Sequence, residues 1–366
     1  MKVAIVHEWL DSFAGSERVV EQLLAEWPEA DLFVLCDFMA EEERGFLLGK
    51  TPRVSFIQRM PFARKHFRKY LGLMPIAIEQ FDLSGYDVVL SSSHAVAKGV
   101  ITGPGQVHVS YVHSPMRYAW DLQHQYLREA GMERGLKGAY TRWLLHRLRI
   151  WDRASALGPD VICANSSYIA ERIRKTWRRE SIVVHPPVDV DRFALREEKE
   201  GYYLTASRMV PYKRIEVIAE AFRRMPGRRL VIVGDGANEA RVREAAGGAP
   251  NIEFRGRVGT AELVTLTQAA RAAVFAAEED FGIATVEAQA CGTPVIAFGK
   301  GGARDIVVDG RTGVFFPEQT VDSIIAAVDR FEMQSFAPAD CRANAERFSH
   351  AAFRSAMRRV VEEARR

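Results

Sequence analysis

The sequence predicts an α/β protein made of two doubly wound parallel-sheet domains in tandem. Three observations lead there. Short apolar runs alternate with segments of helical period from end to end. That alternation yields parallel sheets with helices on both faces. It restarts after HPPVDVDRFALREEKEG (185–201), a charged, proline-bearing stretch suited to a hinge. And 366 residues are more than one core usually serves.

In the first half, strands are expected at VAIVH, DLFVLC, RVSFI, DVVLSS, HVSYVH, VICANS and SIVVH. In the second half they are expected at YYLTAS, RRLVIVG, IEFRG, AAVFAA and PVIAF. SERVVEQLLAEW, RIEVIAEAFRRM and AELVTLTQAA space their apolar residues as helices do. The expected domains are 1–186, 187–345, and a C-terminal helical piece, 346–366, that packs back on the first.

Composition narrows the function classes. Hydrophobic residues at 48% and charged residues at 27% describe a folded globular chain. A net charge of +3 gives no reason to invoke nucleic acid. Cys36, Cys163, Cys291 and Cys341 lie far apart with no CxxC pair. This spacing argues against a zinc site or a disulfide framework and fits a reducing compartment. The N-terminal apolar run reads as a buried strand rather than a signal peptide, and no run reaches the ~18 apolar residues of a membrane span. A cytoplasmic protein is the expectation.

In open parallel sheets, ligands bind beyond the carboxyl ends of the strands, often at helix N-termini. After YYLTAS, Ser207 and Arg208 leave the strand, Pro211 and Tyr212 turn the chain, and Lys213 enters the next helix. Two cations there suit a diphosphate: Arg grips two oxygens and Lys adds a point charge. After AAVFAA comes EEDFGIATVEAQACGTPVIAF (278–298), with Glu279 and Glu287 eight positions apart. On one helix they would sit about 80° apart. They are better explained with Glu279 in the loop, Gly282 allowing close backbone approach, and Glu287 one turn into a helix starting near Ile283. Glu287 could then accept from a ribose diol, and Glu279 from a sugar hydroxyl.

SRMVPYKRIE, VIVGDGANEA, EEDFGIATVEAQACGTPVIA and GGARDIVVDGRTGVFF together resemble retaining, nucleotide-sugar-dependent glycosyltransferases of family 4, whose hallmark is E-x7-E and whose fold is GT-B. AGSERVVEQLL, FDLSGYDVVLSSSHAVAKGV and YVHSPMRYAWD resemble the bacterial O-antigen and exopolysaccharide mannosyltransferases of that family. The resemblance implies two Rossmann-like domains facing a central cleft: an acceptor-binding first and a nucleotide-sugar-binding second. It implies that Arg208 and Lys213 hold the donor diphosphate, Glu287 the ribose and Glu279 the donor sugar. Backbone amides near Phe281, Gly282 and Ile283 would meet phosphate or sugar, beside Ser207. Gly15, in the first strand-to-helix loop, would let the chain approach the donor, although Ala14 stands where many relatives have glycine. His113 would contact the transferred sugar; a core histidine bonded to a backbone carbonyl is the plainer reading of that residue. GDP-mannose is the implied donor, a lipid-linked saccharide of surface polysaccharide or lipopolysaccharide the implied acceptor, and no metal or cofactor is required.

Alternatives remain open from the residues alone. The donor could be a UDP-sugar such as UDP-glucose, the chain could be a nucleotide-sugar epimerase or hydrolase, or it could bind a nucleotide sugar without catalysis. Asp189-Val190-Asp191 matches the DxD of metal-dependent transferases but follows the hinge prolines, so it reads as a decoy. Gly234 and Gly236 lack a third glycine for a dinucleotide fingerprint, Glu239 standing there instead. Residues 44–78 contain no acid. Within them, residues 58–75 mix aromatics with cations and read either as a solvated flank or as a face for an anionic membrane. TRWLLHRLRIWDR reads as a buried helix on Leu144, Leu148 and Trp151.

Overall fold

The computed structural model describes residues 1–366. Two compact units emerge: Met1–Pro187 with Phe353–Arg366, and Val188–Ala352. The first unit carries seven strands, β1 (Val3–His7), β2 (Asp31–Val34), β3 (Arg53–Val54), β4 (Val88–Ser93), β5 (Val107–Val112), β6 (Val161–Ala164) and β7 (Ile182–Val183), in the order β3-β2-β1-β4-β5-β6-β7. The second carries β8 (Tyr202–Ala206), β9 (Arg229–Val233), β10 (Ile252–Gly256), β11 (Ala272–Phe275), β12 (Val295–Phe298) and β13 (Gly313–Phe316), in the order β10-β9-β8-β11-β12-β13. Neighbouring strands are parallel throughout.

Each order reverses once, between β1 and β4 in the first sheet and between β8 and β11 in the second. The loops leaving those strands must diverge to opposite faces, which opens a crevice at the strand ends. Ser207 follows β8, and Glu279 follows β11. The second sheet therefore puts both predicted site loops at its own switch point.

The cores follow the burial pattern expected of doubly wound sheets. β1 and β4 are buried at every position. The His350–Ala364 helix adds Phe353, Met357, Val360 and Val361 to the core that β1, β4 and β5 build, and Arg354 donates to Gln22 Oε1 at 2.7 Å. Four differences from the sequence reading have physical causes. RVSFI supplies only two strand residues, because Ser55 caps a 3₁₀ turn, its Oγ accepting from the Ile57 amide at 3.2 Å. β13 was not anticipated: GVFF is short and opens on a glycine that reads as a turn. A Cβ at Gly313 would fall 2.0 Å from the Val295 carbonyl oxygen, so the strand pairs here only without a side chain. Lys213 ends a 3₁₀ turn, Pro211–Lys213, rather than entering the Ile215–Arg223 helix.

The fourth difference concerns TRWLLHRLRIWDR. It lies in the Gly135–Ser155 helix, whose Leu145, Leu148 and Asp152 are buried, but the opposite face is open to solvent. Inside, Asp152 Oδ1 meets Lys98 Nζ at 2.5 Å, and its Oδ2 accepts from the Trp120 and Trp177 indoles, each at 2.7 Å. Lys98 Nζ also lies 5.1 and 4.8 Å from the Trp151 and Trp177 ring centroids. Both charges are buried, so each needs the other. Lys98 belongs to the turn after β4, so this pair ties the helix to the sheet's switch-point end.

Asp152→Ala is expected to lower unfolding free energy in urea by about 3–5 kcal/mol, the usual cost of orphaning one buried charge. Adding Lys98→Met to it should recover part of that loss, because the orphaned cation goes too. Equal destabilisation by the single and the double variant would show that the pair is not the source of the cost.

Candidate active site

The second unit holds the predicted donor residues apart from Gly15. Ser207, Arg208 and Glu287 line one cavity of about 370 Å3 with Gly234, Asp235, Arg257 and Val258. The Ser207 amide donates to the Val233 carbonyl at 3.0 Å, and the next turn is held by Met209 N to Asp235 O at 2.6 Å and Asn238 N to Met209 O at 2.8 Å. The loop after β8 is thus fastened to the loop after β9, and Arg208 projects exposed from it.

Glu279 is placed in the loop after β11 and Glu287 in the Ile283–Ala290 helix. Gly282 caps that helix at φ +105°, a conformation that costs a side-chain-bearing residue dearly. Phe281 turns its ring into the core, 5.5 Å from Phe348, which leaves only its backbone for a ligand. Glu279 Oε1 accepts from Lys213 Nζ, so the loops after β8 and β11 are joined by an ion pair. Lys213 Nζ also lies 5.3 Å from the Tyr212 ring centroid. Arg214, next in the chain, sits at φ +56° without being glycine, strain of about 1 kcal/mol or more. Its guanidinium is 3.7 Å from Glu216 Oε1.

Two residues shape this site without having been anticipated in that role. Gly301 and Gly302, from GGARDIV, pack directly under the acidic loop: a Cβ at Gly301 would lie 2.4 Å from the Glu279 oxygen, and one at Gly302 2.3 Å from Phe281 Cα. The Gly302 amide donates to the Glu279 carbonyl at 2.9 Å. The doubled glycine in the sequence was the available signal. Of the DxD pair, Asp189 meets Arg192 Nε at 3.3 Å and Asp191 meets Arg342 at 3.6 Å.

The first unit has its own polar cluster at the strand ends. Glu8, fully buried after β1, accepts from the amides of His94, Ala95, Val96 and Ala97 at 2.7–3.1 Å. Burial opposes its charge, but His94 and these amides outweigh it and hold the carboxyl below its ordinary range. Gly15 stands at the first position of the Gly15–Glu26 helix rather than in the preceding loop. The reason is Glu17, whose Oε2 accepts from the Ala14 amide and the Ser16 hydroxyl, each at 3.0 Å, and so fixes the helix start. Burial opposes the Glu17 charge as well, yet His7, 3.4 Å away, brings the carboxyl down to about 2.

His113 follows β5, and its Nε2 lies 2.8 Å from the Ser92 hydroxyl. Ser92 Oγ is in turn 3.1 Å from His7 Nδ1. Its ring partner is therefore a hydroxyl, not the backbone carbonyl of a plain core histidine. Burial, with His94 and His7 nearby, pushes the His113 pKa well below its ordinary value and keeps the ring neutral. A neutral imidazole can accept or donate a hydrogen bond to a sugar without bringing a charge.

Known proteins resemble both parts of this chain. Residues 13–192 match Glycosyltransferase Family 4, and residues 188–348 match Glycosyl transferases group 1. A GDP-mannose-dependent alpha-(1-6)-phosphatidylinositol monomannoside mannosyltransferase of Mycobacterium tuberculosis is 34% identical over 202 residues, 47% of this chain and 52% of that protein. A D-inositol 3-phosphate glycosyltransferase of Mycobacterium bovis is 30% identical over 167 residues, 40% of this chain and 35% of that protein. The chain thus spans about half the length or less of these curated relatives. Among solved structures, sucrose-phosphate synthase from Thermosynechococcus elongatus superposes with a TM-score of 0.72 at 18% identity, covering 99% of this chain and 98% of that one. Anabaena Alr3699/HepE in complex with UDP-glucose gives 0.66 at 15% identity, covering 98% and 99%. These likenesses are of fold, and the fold is GT-B. With one match on each part of the chain and two parallel-sheet units beneath them, this protein belongs to the family 4-like glycosyltransferases.

Proposed function

We propose that this glycosyltransferase moves mannose from GDP-mannose, with retention, to a lipid-linked saccharide of a surface polysaccharide. The observation that carries the reading is the cavity at the second sheet's switch point, lined by Ser207, Arg208 and Glu287, with the loops after β8 and β11 joined by the Lys213–Glu279 pair. Its apolar inner wall, Leu204, Val233, Val258 and Phe275, suits a nucleoside. Glu287 at its edge suits a ribose diol. GDP-mannose is favoured over other donors by the GDP-mannose dependence of the Mycobacterium tuberculosis relative.

In this reading Arg208 and Lys213 neutralise the diphosphate as the glycosidic bond breaks, fixed cations that need no reorganisation at that moment. Amides at Phe281, Gly282 and Ile283, backed by the helix dipole, add to that field. Glu279 holds a sugar hydroxyl and orients Lys213. His113 is assigned to contact the transferred sugar, and Gly15 to allow close approach of the donor, as the family resemblance implies. The departing phosphate takes the acceptor proton on the face it leaves, so no covalent nucleophile is required. Residues 58–75 are proposed to lie against an anionic membrane that carries the acceptor. A UDP-sugar is the second reading, favoured by the fold likeness to a protein solved with UDP-glucose.

Melting temperature with GDP, UDP, ADP, GDP-mannose, UDP-glucose and NAD, each in equal excess, tests the donor. A ligand that binds only the folded chain stabilises it by RT ln(1 + [L]/Kd), about 2.7 kcal/mol at a hundredfold excess over Kd. The expected result is a rise with GDP and GDP-mannose alone. A rise confined to UDP compounds would transfer the mechanism to another donor, and a rise with NAD alone would end the transferase site assignment.

Lys213→Ala is expected to lower kcat at saturating donor by about 100-fold, as loss of one fixed transition-state contact does. Its stability should change by less than about 1 kcal/mol, because the ion pair it leaves is partly solvated. Initial rates equal to the parent's would remove Lys213 from the leaving-group site.

A further inference from the structure

We propose that the outer face of the Gly135–Ser155 helix is a docking surface for an anionic lipid bilayer. The proposal rests on the membrane association put forward above, but on different residues. Leu136, Tyr140, Trp143 and Ile150 are 91, 61, 57 and 54% exposed, and Leu157, just past the helix end, is 69% exposed. At 100° per residue these five fall within an arc of about 100°. Leu145, Leu148 and Asp152, which anchor the helix to its unit, lie on the opposite side. These exposed apolar residues thus share one face along the helix, with Arg147 among them, and that face is separate from the packing face. Single exposed apolar residues need no explanation, but a stripe of this length does.

Charge selects the occupant. Arg147 is exposed within this arc, His146 and Arg153 are exposed beside it, and Lys137 is exposed on the helix's first turn. The one acid between Gly135 and Leu157 is Asp152, buried and neutralised by Lys98. Glu129 and Glu133 precede the helix and lie off its shaft. A second copy of this helix would set cations against cations with no acid to answer them. An anionic bilayer attracts Lys137, Arg147 and Arg153 alike. Tyr140 and Trp143 stack with centroids 5.8 Å apart, and amphipathic rings of this kind settle at headgroup depth.

The helix also borders the acid-free segment. A Cβ at Gly72 would lie 3.0 Å from Leu144 Cδ1, and the Trp151 indole donates to Glu79 Oε1 at 2.6 Å. That segment exposes Arg59, Arg64, Lys65 and Lys69, with Phe62 82% exposed among them. Two basic, apolar surfaces that are distant in sequence therefore share an edge within one unit. In this division of labour the segment supplies mainly attraction, and the helix supplies the rings and alkyl groups that enter the interface.

Co-sedimentation with vesicles of phosphatidylcholine, with and without phosphatidylglycerol, tests the assignment. The full chain is compared with Trp143→Ser/Ile150→Ser, with Arg147→Glu/Arg153→Glu, and with Arg64→Glu/Lys65→Glu. All changed residues are exposed, and an unaltered melting temperature confirms that each variant is folded. The expected result is binding of the parent to the anionic vesicles only, weakened by salt, and about tenfold or greater loss in either helix variant. If the parent binds and both helix variants bind equally well while Arg64→Glu/Lys65→Glu does not, the helix assignment is overturned and the membrane reading survives. If the parent does not bind, both fall. A parent that elutes as a dimer, and as a monomer once Trp143 and Ile150 are changed, without vesicle binding, would assign the stripe to a second copy instead.

Discussion

A parallel sheet delivers the carboxyl ends of all its strands to one edge, and a reversal of strand order opens that edge at one point. The chemistry assigned to the second unit hangs from this constraint. β8 and β11 are neighbours only because the order β10-β9-β8-β11-β12-β13 turns back there. Their loops, far apart in sequence, thereby come close enough for Lys213 to reach Glu279. Without the reversal, a cation after one strand and a carboxylate after another would have no reason to meet. Gly301 and Gly302, following β12, then support the acidic loop from below.

The two units treat charge differently. In the second, Lys213 and Glu279 remain partly solvated, and in the proposed function a donor diphosphate competes with Glu279 for Lys213. Such a pair is weak as a stabiliser and well suited to exchange partners. Around the strand ends of the first, Glu8, Glu17, Lys98 and Asp152 are buried. Glu8 spends its carboxylate on four consecutive amides, which fixes the turn after β4. Lys98 and Asp152 hold that same turn to the helix beneath. His113 is kept neutral by burial. In the proposed function, the partly solvated pair of the second unit suits a charged leaving group.

Much of this was legible in the sequence, and the boundary between what was and was not is physical. Apolar periodicity located twelve of the thirteen strands because a buried parallel strand is a run of apolar residues. It passed over β13, where a glycine required by backbone contact looks like a turn. The placement of Glu279 in a loop and Glu287 on a helix followed from spacing and Gly282. The partner of Glu279 did not, because a tertiary ion pair leaves no local pattern. Glu8 and Lys98 were invisible for the same reason: their partners are 85 or more and 54 positions away. The Gly135–Ser155 helix shows a different limit. Leu144, Leu148 and Trp151 identify one apolar face, but Leu136, Tyr140, Trp143 and Ile150 make a second, and periodicity alone does not say which face the fold covers.

In the proposed function, the loops after β8 and β11 together form the donor site. Hydrogen exchange of the backbone amides, read by mass spectrometry with and without GDP-mannose, addresses it directly. Ordering of amides by a bound ligand should slow exchange at 207–213 and 279–287, with little change across 252–256 or 321–332. Donor binding that protects other segments and leaves those two loops exchanging as before would contradict the account.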